Sequence, residues 1–396
     1  MTIAAALLGT YGLFLTAYVA YQLLLFAANA LIEDPRDFEP ARRRRLNVVV
    51  PVHNEELYLP RLLSSLQSQE YPPDSYRVTV VADNCTDGTV AACGSFDVDL
   101  FERHDTERRG KGHAIRWALE RIDVEAFDAL AIVDGDSLVP RDFLAQLNLQ
   151  LERGDRVIQC YNGVANPGQS WFTRLMNVSR TIANEILHPA KRKLGLSSHL
   201  MGNGMCFDLS LLKAQGWDAF SVGEDWEYYA RLVMSGAWVG YSRGARVYHQ
   251  ESITLRQASS QRIRWSSGRF QVLRRYAVPL VLRGIRSRSL TCLDAALPLV
   301  FPNPSLGVNL TVLGLTIAGA YWLGGGRPEL AAWFATLVAL QLGMFVVGVF
   351  HTENRRASAA SLVLAPVFLA WKLGIDVLSI CGVGLREWKR TERRLS

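Results

Sequence analysis

The sequence predicts an α/β protein: a doubly wound, mainly parallel sheet joined to transmembrane and interfacial α-helices. Three observations predict it. Apolar residues make up 49% of the 396 positions, and they are bunched into runs of membrane-spanning length at both ends. The stretch between alternates short β-branched runs with segments of helical periodicity, the pattern of a wound sheet. Its strands end in polar and acidic loops, where open α/β sheets hold their ligands. An aromatic content of 10% excludes a disordered chain. Six cysteines in a chain of this length exclude a disulfide scaffold; lacking metal-ligand spacing, they read as reduced thiols.

No charged side chain occurs from Thr2 to Ile32. A bilayer core needs about 20 apolar helical residues, so residues 1–32 are expected to form an uncleaved transmembrane anchor. Ala28-Asn29-Ala30 resembles a signal-peptide cleavage site, but no basic segment precedes the run and it exceeds the usual apolar length. Arg42 to Arg45 follow, and the positive-inside rule puts them and the domain beyond in the cytoplasm. Leu46 to Val52 reads as a buried parallel strand. Glu56 to Gln69 carries Leu59, Leu62, Leu63 and Leu66 at helical spacing. Strands are expected again over Arg77–Ala82, ending at Asp83, and over Phe127–Val133, ending at Asp134-Gly135-Asp136. Residues 33–255 are long enough for one large core.

From Ser252 to Leu293 there are nine arginines and neither an acidic residue nor a lysine. Apolar residues alternate with them, so 256–293 is expected to be a basic amphipathic segment on an anionic membrane face. Nucleic acid is the rival partner of an arginine-rich run, but this run leads straight into a membrane segment. Three apolar stretches lie within 294–385. Leu297–Leu323 is interrupted by Pro302-Asn303-Pro304, and Leu330–Phe350 is clean. Ala359–Val383 carries Lys372 and Asp376, spaced to neutralise each other. Three full spans would put the basic tail, 386–396, outside and against the positive-inside rule, so one stretch is expected not to cross fully.

The strand ends carry the chemistry. Asp134 and Asp136 offer two carboxylates to one hard cation, and Mg2+ or Mn2+ prefers such ligands. Asp83 suits hydrogen bonds to a base or ribose, or a turn cap such as Asp87-Gly88 provides. Lys111, between glycines, suits a phosphate or is a solvated loop cation. Glu224-Asp225 precede an apolar helix, as caps or as a general base. Gln261-x-x-Arg264-Trp265 combines a guanidinium for a diphosphate with an indole face for a sugar ring.

Val50-Pro51-Val52-His53-Asn54-Glu55, Asp83, Asp134-x-Asp136, Glu224-Asp225 and Gln261-x-x-Arg264-Trp265, in this order and between membrane segments, resemble the membrane-integrated family-2 glycosyltransferases of the cellulose, hyaluronan and chitin-oligosaccharide synthase type, which have a GT-A catalytic domain. The resemblance covers residues 46 to 290 closely. It implies a metal-dependent, inverting transfer from a UDP-sugar to a growing β-linked glycan, or alternatively to a lipid-linked acceptor at the inner leaflet. It implies that Pro51, Asn54, Glu55, Asp83 and Lys111 bind the nucleotide, and that Asp134 and Asp136 hold the diphosphate and metal. His249 falls where some GT-A enzymes supply a third ligand. Asp225, beside Glu224, is implied as general base. Gly204 falls in an acceptor loop, and Gln261, Arg264 and Trp265 hold the diphosphate and acceptor end. The implied partners are a UDP-sugar, a glycan or lipid-linked acceptor and membrane lipids, without nucleic acid; self-association is left open. The implied place is the inner or plasma membrane, multi-pass, with the catalytic domain cytoplasmic. These synthases have more membrane helices than this chain offers, which weighs against a secretion channel built by one chain.

Overall fold

The computed structural model describes residues 3–33, 38–301 and 303–384; the basic tail 386–396 lies outside them. Helix α1 (Ile3–Leu31) comes first. The first half of the sheet is β1 (Leu46–Val52), α2 (Leu59–Gln67), β2 (Tyr76–Asp83), α3 (Thr89–Cys93), β3 (Asp99–Arg103), α4 (Lys111–Leu119) and β4 (Ala129–Ile132). The second half follows as β5 (Ser137–Leu138), α5 (Phe143–Glu152), β6 (Val157–Val164), α6 (Trp171–Ile182), α7 (His188–Lys193), β7 (Met205–Asp208), α8 (Leu209–Gln215), α9 (Glu224–Met234) and β8 (Gly240–His249). A long helix, α10 (Leu255–Ser287), leads to α11 (Leu290–Val300), α12 (Pro304–Leu323), α13 (Pro328–Phe350), α14 (Arg355–Ser361) and α15 (Ala365–Ile380).

One eight-stranded sheet runs in the order β3-β2-β1-β4-β7-β6-β8-β5. Parallel pairing joins β3, β2, β1 and β4, and again β6 and β8. Strand β7 enters antiparallel between β4 and β6. Strand β1 is buried nearly throughout, as a central parallel strand with helices on both faces must be. Its Pro51 is tolerated because β4 pairs with β1 only as far as Val49, so the missing N–H falls beyond the last pair on that side. One core packs β1, β4 and β7 against α4, α9, α10 and α11. The other packs the opposite face against α2 and α5.

Among the described residues four helices are long and apolar enough to cross a membrane: Ile3–Leu31, Pro304–Leu323, Pro328–Phe350 and the combined stretch Arg355–Ile380. The run expected from Leu297 divides, with α11 ending at Val300 and α12 starting at Pro304. A proline at the first helical position is favourable there. Lys372 and Asp376 do meet as a buried ion pair, and both reach Ser266 of α10, at 3.1 and 3.2 Å. This contact divides α10, whose whole length was expected on the membrane surface. Its first half is held between the sheet domain and α15, with Ala258, Gln261, Arg262 and Ser267 buried. Its second half exposes Val278, Val281, Leu282 and Ile285, the apolar face such a surface helix requires. At the other end, Tyr21 of α1 donates to Asp294 of α11, and Asp294 also pairs with Lys191 of α7 at 2.8 Å.

Candidate active site

The carboxyl ends of β1, β2 and β4, the start of α9 and the first half of α10 enclose a cleft of about 830 Å³. Pro51, Asn54, Glu55, Asp83, Lys111, Asp134, Asp136, Glu224, Asp225, His249, Gln261, Arg264 and Trp265 all line it. These were the residues singled out by sequence, and only Gly204 of that set lies off the cleft. Gly204 is buried, with a positive φ of 64°. A Cβ there would fall 2.8 Å from Val247 and 3.0 Å from Cys160, so the glycine serves a close backbone approach. Its neighbours Gly202 and Asn203 line the cleft instead.

At the β1 and β2 end of the cleft, Asn54 adopts φ 58° and its Oδ1 accepts from Thr86 N at 2.7 Å, locking the β1 loop to the β2 loop. His53 Nδ1 sits 2.7 Å from the Asp83 carbonyl oxygen. The Asp83 carboxylate accepts from Arg103 Nη1 at 2.6 Å and from Asn84 Nδ2 at 2.8 Å. Burial raises the Asp83 carboxyl, and Arg103 opposes that rise. Arg103 is itself only 3% exposed, and removing one partner of a buried pair strands the other charge. Arg103→Leu is therefore expected to cost about 3 kcal/mol, read as a lowered Tm of the detergent-solubilised chain; an unchanged Tm would show that Asp83 finds another partner.

Lys111 opens α4 and donates to the Asp134 carboxylate and to the Gly202 carbonyl. Burial works against its charge, and Asp134 and Glu224 more than restore it. It is thus a tied cation rather than a mobile one. Asp134 N also donates to Asn203 Oδ1 at 3.0 Å. Asp134, Asp136 and His249 were expected to share a metal. Among the described residues no three His, Cys, Asp or Glu side chains gather closely enough to hold one. Lys111 takes the Asp134 oxygen, and His249 is turned to Asn162 Oδ1 at 3.0 Å and Glu251 at 3.5 Å. The pair Asp134 and Asp136 still fits a hard cation that keeps waters and phosphate oxygens in its shell.

Glu224 and Asp225 occupy the first turn of α9, whose N-cap is Gly223. A glycine has no side chain to cap with; Asp225 takes part of that role, its Oδ1 accepting from Trp226 N at 2.9 Å. Burial raises both carboxyls; Asp225 adds to the rise at Glu224, while Arg269 opposes it at Asp225. Gln261, Arg264 and Trp265, at i, i+3 and i+4, share one helix face and turn it to the cleft. Arg262 points elsewhere, to Glu251. Burial lowers the Arg264 guanidinium, with Glu224 and Asp134 acting the other way.

Sequence reasoning missed Arg103, Asn162, Arg180 and Arg269. The last three line the cleft, and Arg269 lies 5.0 Å over the Trp226 ring. Only Arg269, one turn past Trp265 in the arginine run, carried a usable signal. The others reach the site through tertiary contacts.

Residues 43–268 match the model of the glycosyltransferase like family 2. A probable glycosyltransferase, YdaM, of Bacillus subtilis is 24% identical over 59% of this chain and 57% of its own length. The beta-monoglucosyldiacylglycerol synthase of Synechocystis is 24% identical over 57% of this chain and 47% of its own. The chain thus spans about half the length of the curated relatives it matches. A mannosyltransferase from Pyrobaculum calidifontis, solved with GDP-Man and Mn2+, has the same fold, with a TM-score of 0.60 at 23% identity over 95% of this chain and 99% of that one.

Proposed function

The chain belongs to the glycosyltransferase like family 2, and from that premise we propose that it is a membrane-bound inverting transferase moving a sugar from a UDP-sugar to an acceptor hydroxyl. The observation that carries this reading is the convergence of Asp83, Asp134, Asp136, Asp225 and the Gln261–Trp265 face on one cleft. Asp83 and the Asn54 loop hold the nucleotide. Asp134 and Asp136 hold a divalent ion, which when bound supplies positive charge to the diphosphate; the nucleotide-sugar and Mn2+ in the Pyrobaculum relative support this. Arg264 stabilises the charge growing on the leaving diphosphate. Asp225 accepts the acceptor's proton as its oxygen attacks the anomeric carbon, so an α-linked donor gives a β-linked product. Chelation with EDTA is expected to abolish UDP release, and Mn2+ or Mg2+ to restore it; release that survives chelation would remove the ion from the proposal.

Two acceptors suit the cleft. The Gln261-x-x-Arg264-Trp265 face supports a growing β-linked glycan. The packing of α6 on α13 and α15 beside the cleft supports a lipid at the inner leaflet, as does the diacylglycerol-glucosylating activity named for the Synechocystis relative. The deciding experiment is UDP release across UDP-glucose, UDP-GlcNAc, UDP-galactose and UDP-glucuronate, followed by mass analysis. A ladder of products selects the glycan, a single lipid-extractable addition selects the lipid, and no UDP release from any donor overturns the proposal.

A further inference from the structure

Arg180 and Arg269 both lie on the Asp225 side of the cleft, and the other charges there have partners. Glu251 is taken by Arg262, and burial and Arg262 set against each other leave its carboxyl well below the usual range. Arg269 is the cation that Asp225 feels most. Among the described residues Arg180 makes no salt bridge, and its guanidinium reaches Met201 Sδ at 3.8 Å. Burial, with Arg262 and Arg269 nearby, lowers it to about 10. A guanidinium with no ion-pair partner keeps donors to offer, and here it borders the cleft, where a ligand can accept them.

Its position separates it from the donor. Arg264 is the arginine influenced by Asp134 and Glu224. Arg180 is influenced by Asp225, Glu251, Arg262 and Arg269, on the side where the incoming hydroxyl must meet the base. Arg180 also stands on α6, which reaches the membrane helices. Val178 and Ile182 of α6 pack on Val349 of α13, and Phe172 and Met176 pack with Phe368 and Trp371 of α15.

Resting on the transferase reading above, we propose that the acceptor is an anionic lipid whose phosphate is bound by Arg180 beside the hydroxyl that Asp225 deprotonates. A guanidinium pairs with phosphate oxygens through charge-assisted, often bidentate hydrogen bonds. The glycosidic bond forms at the lipid's hydroxyl oxygen, the bond to the UDP oxygen breaks, and the hydroxyl proton goes to Asp225.

The test uses the full chain in neutral detergent micelles with the donor that supports UDP release. It offers phosphatidylglycerol or diacylglycerol, which both present a glycerol hydroxyl while only the first carries phosphate. The wild type is expected to favour phosphatidylglycerol in kcat/KM. Arg180→Gln should lose about tenfold to a hundredfold of that preference with the Kd for UDP unchanged, and Arg180→Lys should recover part of it. Equal use of the two lipids by the wild type, or a preference that survives Arg180→Gln, overturns the proposal. A loss that appears in the Kd for UDP assigns Arg180 to the donor and overturns it too. Soluble glycerol 3-phosphate, used as well as the lipid, overturns the lipid assignment. Failure of the transferase reading looks different: no donor gives UDP release with any acceptor, whereas release with a glycan but with neither lipid overturns this assignment alone.

Discussion

Asp225→Asn is expected to lower kcat by about 10²- to 10⁴-fold, the range for loss of a general base, while UDP still binds with its original affinity. The substitution keeps the shape of the side chain and the hydrogen bond that Trp226 N makes to it at 2.9 Å, so the start of α9 stays in place. What is lost is the proton acceptor proposed above. The pH profile gives an independent check. Burial raises the Asp225 carboxyl above its ordinary range, against the pull of Arg269, and the base works only when deprotonated. Activity should therefore fall with decreasing pH at higher values than an exposed aspartate would give. Near-normal turnover by Asp225→Asn would remove the base from Asp225.

Gly268→Ala is expected to damage both the fold and the rate through a single methyl group. Helix α10 crosses the turn before α9 so closely that a Cβ on Gly268 would lie 2.7 Å from Gly223 N and 2.9 Å from Val222 C. Both obstacles are backbone, so the helix or the turn must move. Overpacking of this kind costs about 1–3 kcal/mol. The displacement also matters for rate, because Gly223 immediately precedes Glu224 and Asp225 while Gly268 lies one turn from Arg264 and Trp265. A misplacement of about 1 Å between reacting groups can cost about 10²-fold. Gly319→Ala in α12 is the control, since nothing lies within 4 Å of a Cβ there. A Gly268→Ala protein with wild-type kcat and Tm would show that the crossing is not needed to hold the site.

Where sequence and structure agree, the information was local. Strands β1, β2 and β4 announce themselves because both faces of a central parallel strand must be apolar, and their polar ends mark the ligand side. Strand β3 did not, because at the sheet edge its Asp99 and Glu102 stay exposed and break the pattern. Strand β7 is four residues long, too short to show a period, and its antiparallel insertion depends on partners far along the chain. The acids of the cleft were legible for the same reason as β1: each sits on its own turn beside a strand or helix end. Arg103 and Arg180 were not, since one is marked by its ion pairs with Asp83 and Asp105 and the other by its place on the cleft wall. The two halves of α10 carry the same arginine-and-apolar pattern. Only packing tells that Gln261 to Ser267 belong to the cleft while Val278 to Ile285 remain outside it.

The Tyr21–Asp294–Lys191 contact bears on how this protein must be handled. Trimming α1 to obtain a water-soluble fragment would remove the Tyr21 hydroxyl from Asp294 and uncover the patch around Ala190 that Leu25 and Ala28 shield. The fragment would keep every cleft residue and still carry a raw apolar wound next to a buried ion pair, which favours aggregation over activity. Purification and assay should therefore begin from the intact chain in detergent or a nanodisc, with α1 regarded as part of the protein's packed interior.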